Sequence, residues 1–165
     1  MTGRIAPIAA LFLCFYIAGA CNPRAENPVP NGRPNGASPE VRFRPLTIEL
    51  EVADHSVAAY QVELKIVSGD TMIVGVEGGS AIGFTEPPYY DSAALSGGRI
   101  ILAALNPFVS LPTGRHKVAV IHMRESGETP IYELEVITAG DLDGNIVPVT
   151  AVLLIDAMQP VAEGY

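Results

Sequence analysis

Asp, His and Ser, the residue types of a nucleophilic triad, stand in a row at Asp54-His55-Ser56. In a working triad the histidine takes the serine proton and the acid orients the histidine, so the three side chains must converge in space. Consecutive residues of an extended chain point to alternating sides. The run therefore cannot relay a proton within itself, and it reads as the turn between two strands. No Gly-x-Ser-x-Gly elbow is present to expose a serine nucleophile. His55, His116 and His122 show no His-x-x-x-His spacing and there is no Cys-x-x-Cys, so no motif brings metal ligands onto one face. His116 stands between Arg115 and Lys117, a setting for surface solvation, and His122 lies in an apolar run where a histidine hydrogen-bonds within a sheet. Asp141-Leu142-Asp143-Gly144-Asn145 has the composition of a calcium loop without its spacing: counted from Asp141, glycine is fourth instead of sixth, and the twelfth residue is Val152 instead of a bidentate Glu. Asp-Gly is ordinary turn chemistry, and a turn is expected there. No catalytic, cofactor-binding or metal residue is assigned, and the chain is expected not to be an enzyme.

Unusual residues concentrate outside any strand pattern in one place, Glu86-Pro87-Pro88-Tyr89-Tyr90-Asp91. Prolines fix the backbone, and the tyrosines behind them offer apolar rings with polar tips. A stiff aromatic loop makes a contact surface, so Glu86, Pro87, Pro88, Tyr89, Tyr90 and Asp91 are the candidate binding residues, with Phe84 anchoring the loop in the core. The competing reading is a crossover that plugs one end of the fold with its rings buried.

The elements that must position this loop are strands. Ile48, Leu50 and Val52 alternate with Thr47, Glu49 and Glu51, and Tyr60, Val62, Leu64 and Ile66 alternate with Ala59, Gln61, Glu63 and Lys65. Such a period of two marks a half-buried strand. Ser68-Gly69-Asp70 predicts a tight turn into Met72 to Glu77, which should pair with the strand before it. Further strands are expected at Arg99 to Leu105, Lys117 to Arg124, Ile131 to Thr138 and Ile146 to Ile155, the last three as a meander of hairpins. One short helical turn, capped by Asp91 or Ser92 and ended by Gly97-Gly98, is the exception. Seven segments at this spacing predict an all-β antiparallel sandwich.

The runs Ala59-Tyr60-Gln61-Val62-Glu63-Leu64, Val74-Gly75-Val76-Glu77-Gly78-Gly79, Ile100-Ile101-Leu102-Ala103-Ala104 and Leu111-Pro112-Thr113-Gly114 resemble those of cohesin-like domains. The resemblance covers about Val41 to Leu154. It implies a jelly-roll sandwich of about 7–9 strands, related in fold to carbohydrate-binding modules, and a non-catalytic extracellular module that docks a protein partner of dockerin-like or other kind. Carbohydrate binding is the alternative, disfavoured by the absence of Trp and by having only Tyr89 and Tyr90 as a stacking platform. A structural role in the cell envelope is the third.

The N-terminus supplies an address. Arg4 precedes an apolar run, Ile5 to Ala20, which ends in Ala18-Gly19-Ala20-Cys21. This is the layout of an export signal, too short and too broken by Pro7 for a membrane span of about 20 residues. The small residues before Cys21 resemble a bacterial lipobox, although Ala18 stands where that pattern prefers Leu, and Ala-x-Ala also suits ordinary secretory cleavage. Cys14 and Cys21 are the only cysteines, and lipidation of Cys21 gives a purpose to what would otherwise be a solitary thiol. The expected organisation is a signal peptide over 1–20, a lipid-anchored Pro/Asn/Gly-rich linker over 21–40, the sandwich over 41–155 and a tail over 156–165. The expected location is the periplasmic or cell-surface side of a membrane. With 10 Lys and Arg scattered among 18 Asp and Glu, a net charge of −8 gives no basic patch for nucleic acid or an anionic lipid surface.

Overall fold

A computed structural model describes residues 39–156. The signal segment, Cys21, nearly all of the linker and the tail beyond Asp156 lie outside the described residues. Strands β1 (Val41–Val52), β2 (Ala59–Gly78), β3 (Arg99–Leu105), β4 (Gly114–Gly140) and β5 (Thr150–Ile155) form one antiparallel sheet in the order β3-β2-β4-β1-β5. The described residues are all-β, and the one helical element among them is a 3-10 turn over Ser92–Ser96. Asp91 caps that turn by accepting a hydrogen bond from the Ala93 N–H at 2.9 Å, and Gly97 ends it, as the sequence leads one to expect.

The seven apolar segments resolve into five strands because two of these strands are long: β2 has 20 residues and β4 has 27. Tyr60–Ile66 and Met72–Glu77 are successive stretches of β2, and neither folds back on the other. Ser68-Gly69-Asp70 is therefore a bend and not the hairpin turn that its composition predicts. Both stretches pair with β4, with Ser68 opposite Ile131 and Asp70 opposite Ser126, so that 127–130 bulge out opposite Gly69 alone. Positive φ angles at Gly69 (101°) and Gly127 (74°) let the strands turn sharply while keeping their ladder. A side chain at Gly69 would put its Cβ 2.7 Å from Pro130 Cβ. The expected meander is corrected in the same way: β4 runs through Ser126-Gly127-Glu128, and β5 pairs with β1, not with β4. Pro148 lies in the predicted last segment, and strand pairing to β1 starts only at Thr150.

The bend doubles the sheet over. Tyr60, Val62, Leu64, Ile100 and Leu102 from one half share a single core with Leu46, Ile48, Leu50, Ile121 and Met123 from the other. The Tyr60 hydroxyl crosses between halves to donate to the Val118 carbonyl at 3.2 Å, and burial pushes its phenol well above its ordinary pKa. Nearer the bend the crossing is made by Tyr132, which donates to Glu125 Oε1 at 2.8 Å. Among the described residues the buried core runs from Leu46 to Val147, so the unit has a core of its own and is expected to fold without residues 1–36. Val41 pairs with Ser126 beside the bend, whereas Ala59, Leu105 and Gly140 lie together at the opposite end.

The outer face of the β3-β2-β4 half carries an ion network. Lys65 Nζ lies 2.7 Å from Glu63 Oε2 and 3.5 Å from Glu135, and Arg99 pairs with the other Glu63 oxygen. The hydrogen bond from Lys65, then that from Arg99, holds the Glu63 carboxyl below its ordinary 4.5, and the bond to Glu63 raises Lys65 above 10.5. A depressed carboxyl stabilises the fold above its unfolded pKa and loses that contribution as pH falls through the folded value. Thermal stability is thus expected to fall as pH drops below 4.5. Glu63→Gln should flatten that acid limb and lower stability at neutral pH, as thermal melts between acid and neutral pH would show; an acid limb unchanged in the variant would remove Glu63 from the account.

Candidate binding groove

The segment Glu86–Asp91 is tied to the sheet by backbone hydrogen bonds. The Tyr89 N–H donates to the Ala103 carbonyl at 2.7 Å and the Ala103 N–H returns the bond at 2.9 Å, so the loop lies along the outer edge of β3. Phe84 anchors it as expected, 3% exposed, with its ring centroid 5.5 Å from that of Tyr60. Two glycines make this packing possible. The Gly79 N–H donates to the Phe84 carbonyl, the Ser80 and Ala81 N–H groups both donate to the Lys117 carbonyl, and a Cβ on Gly79 would meet that oxygen at 1.9 Å. At Gly78 a Cβ would meet the Thr85 carbonyl oxygen at 2.0 Å.

The loop then divides its residues between two roles. Pro88 is buried and Tyr90 is half-buried against the core, while Glu86, Pro87 and Asp91 are exposed. Tyr89 is 81% exposed. Neighbours in an extended segment face opposite ways, so the two tyrosines do not form the one stacking platform that the carbohydrate alternative would use. Tyr90 packs against the core, as the plug reading expects, and Tyr89 is exposed.

Tyr89 forms one wall of an open groove of about 490 Å³. Its floor is the outward row of the sheet, Ala59 and Gln61 of β2, Ala103 of β3 and Thr138 of β4, and its rim includes Leu105, Leu142 and Ile146. The two alanines keep the floor low. Leu105, Leu142 and Ile146 are 66%, 52% and 83% exposed, which places several large apolar groups in water around one concavity. Of these residues the sequence pointed only to Tyr89; the others stand on outward strand positions or in a turn, which a period-two reading assigns to solvent.

Asp141, at the groove's end, is committed to its turn. Its Oδ1 accepts from the Asp143 and Asn145 N–H groups at 3.0 and 2.8 Å, and its Oδ2 accepts from Asn145 Nδ2 at 3.0 Å. The Asn145 side chain and then its backbone N–H hold the Asp141 carboxyl below its ordinary value. The loop is thus the turn that Asp-Gly chemistry predicts, with Gly144 at φ 83°. Among the described residues no Lys, Arg or His lines the groove. What it offers a ligand is apolar contact, an aromatic face, and neutral hydrogen-bonding groups on Gln61 and Thr138.

Elsewhere, Asp54-His55-Ser56 lies in the loop between β1 and β2 with no hydrogen bond joining the three side chains. His116 Nε2 contacts the Pro112 carbonyl at 2.8 Å, and His122 lies 3.3 Å from Glu77. Among the described residues no three His, Cys, Asp or Glu side chains are grouped to hold a metal ion, and no helix is long and apolar enough to cross a membrane. A second shallow concavity lies on the outer face of the other half, around Phe43, Pro45, Gly75 and His122. No family model matches the chain, and no curated protein or solved structure matches it.

Proposed function

We propose that the chain is a non-catalytic, exported lipoprotein, acylated at Cys21, whose folded unit is a cohesin-like protein-binding module of jelly-roll type, and that a partner protein docks in the Tyr89 groove. The observation that carries this reading is the coincidence of an 81% exposed tyrosine with an open groove rimmed by solvent-exposed Leu105 and Ile146. Large apolar groups clustered in water mark an interaction surface, and tyrosine is among the residues that dominate binding energy at such surfaces. A protein segment is favoured over a polysaccharide because only one ring faces the groove, Tyr90 is turned inward, and the chain has no Trp to extend a stacking platform.

A pull-down from envelope extract of the source organism, with the unit from Val41 onward as bait and a polysaccharide array in parallel, tests the reading. One protein should be retained, and Tyr89→Ala should weaken it by about 30-fold, on the order of 2 kcal/mol, without changing the unfolding midpoint. Glycan binding without a protein partner would overturn the proposal and favour a carbohydrate-binding module.

A further inference from the structure

An unpaired strand edge offers a row of backbone donors and acceptors to any further strand, and folds that remain single copies block such edges. Most edges of this sheet are blocked. Beside β3, Tyr89 already occupies Ala103. The Met72–Glu77 stretch of β2 has a register irregularity between Ile73 and Gly75, and the Ile131–Thr138 stretch of β4 has Glu133, Glu135 and an extra residue at Ile137. The start of β1, beyond the reach of β5, carries Arg42, Arg44 and Pro45. β5 is different. Among the described residues it pairs only with β1, without register shift, and Thr150–Ile155 contains no charge, no proline and no bulge. Leu154 and Ile155 are 37% and 48% exposed there.

We propose that β5 is a self-association edge at which two copies of this chain join antiparallel, about a twofold axis through Leu153, into one continuous sheet. Opposed residues of an antiparallel pair share a face, so the axis must pass through a residue and not between two. With Leu153 on the axis, Val152 faces Leu154 of the second copy, and small Ala151 faces the exposed Ile155. The only charged group of the segment, Asp156, meets the Thr150 hydroxyl, so no like charges oppose each other. An axis through Val152 would instead set Asp156 against Pro148, which has no N–H to donate. A strand pair this short buries less than a standard interface. It is weak in dilute solution and strengthened wherever copies share one surface. The proposal does not depend on the Tyr89 groove, which is built on β2, β3 and β4 and takes no lining residue from β5.

Sedimentation velocity on the chain from Ala37 to Tyr165 tests it. A reversible dimer should grow in across about 10 to 300 µM, the range for a sub-standard interface. Val152 and Leu154 lie on the outer face, opposite Glu49 and Thr47 of β1, so V152K/L154K leaves the core intact and brings lysines face to face. It should weaken the dimer at least tenfold, as should V152E/L154E, and mixing the two variants should restore association. Wild-type chain that stays monomeric across the range overturns the proposal, as does a lysine variant that dimerises like wild type or a mixture that stays monomeric while both variants melt as folded proteins.

Discussion

Gly79→Ala is expected to destabilise the unit by at least ~3 kcal/mol, the sum of overpacking and the release of a buried aromatic ring. The added Cβ would lie 1.9 Å from the Lys117 carbonyl oxygen and 2.6 Å from Val118 Cα. Both are backbone atoms of β4, where Lys117 pairs with Glu49 of β1, and neither is a side chain that can rotate away. The loop must lift instead, giving up the hydrogen bonds from Ser80 and Ala81 to Lys117 and withdrawing Phe84 from Tyr60. Because the same loop presents Tyr89, partner binding should fall as well. Gly75→Ala is the contrast: nothing lies within 4 Å of its Cβ and its φ is ordinary, so urea unfolding should show a change within about 1 kcal/mol, with a gain allowed by the lost flexibility of the unfolded chain. A Gly79→Ala midpoint equal to that of Gly75→Ala would refute the close approach.

The second large effect is expected at Arg44→Met. Glu125 is fully buried, with Arg44 Nε 3.3 Å from one carboxylate oxygen and the Tyr132 hydroxyl on the other. Burial, and then the hydrogen bond to Glu125, hold the Tyr132 phenol well above its ordinary pKa. Removing the guanidinium leaves a buried carboxylate with one neutral donor, a loss on the order of 3 to 5 kcal/mol. Replacing both, as Arg44→Met with Glu125→Met, should recover most of that, since a buried ion pair adds little over apolar packing. Denaturant melts of the single and double variants decide it: a double variant no more stable than the single would mean that packing around Arg44, not charge, is what matters.

These two sites also show what could be read from the residues and what could not. The strand segments were legible because their apolar positions alternate, and so were the Asp91 cap and the Asp141 turn, which depend on local chemistry. Chain direction at glycine was not. A glycine at positive φ serves a hairpin turn and a strand bend equally well, so Gly69 and Gly127 gave no sign that β2 and β4 continue through them. Pairing across distant segments, such as β5 with β1, has no local signature at all. Glu125 is a subtler case. It keeps the parity of Ile121 and Met123, which places it inward, but its charge argues for solvent, and the decision rests on Arg44 arriving from β1 and Tyr132 from beyond the bend in β4 itself. At the groove, proline and tyrosine composition singled out the loop, while the choice of Tyr89 over Tyr90 depended on which one pairs with Ala103.

Backbone amide shift mapping during titration with the captured partner tests most directly whether the Tyr89 groove is the partner surface. The expected result is a set of perturbed amides confined to Gln61, Ala103, Thr138, Ile146 and the Tyr89 loop. Perturbations centred instead on Phe43, Gly75 and His122, or confined to β5, would contradict it.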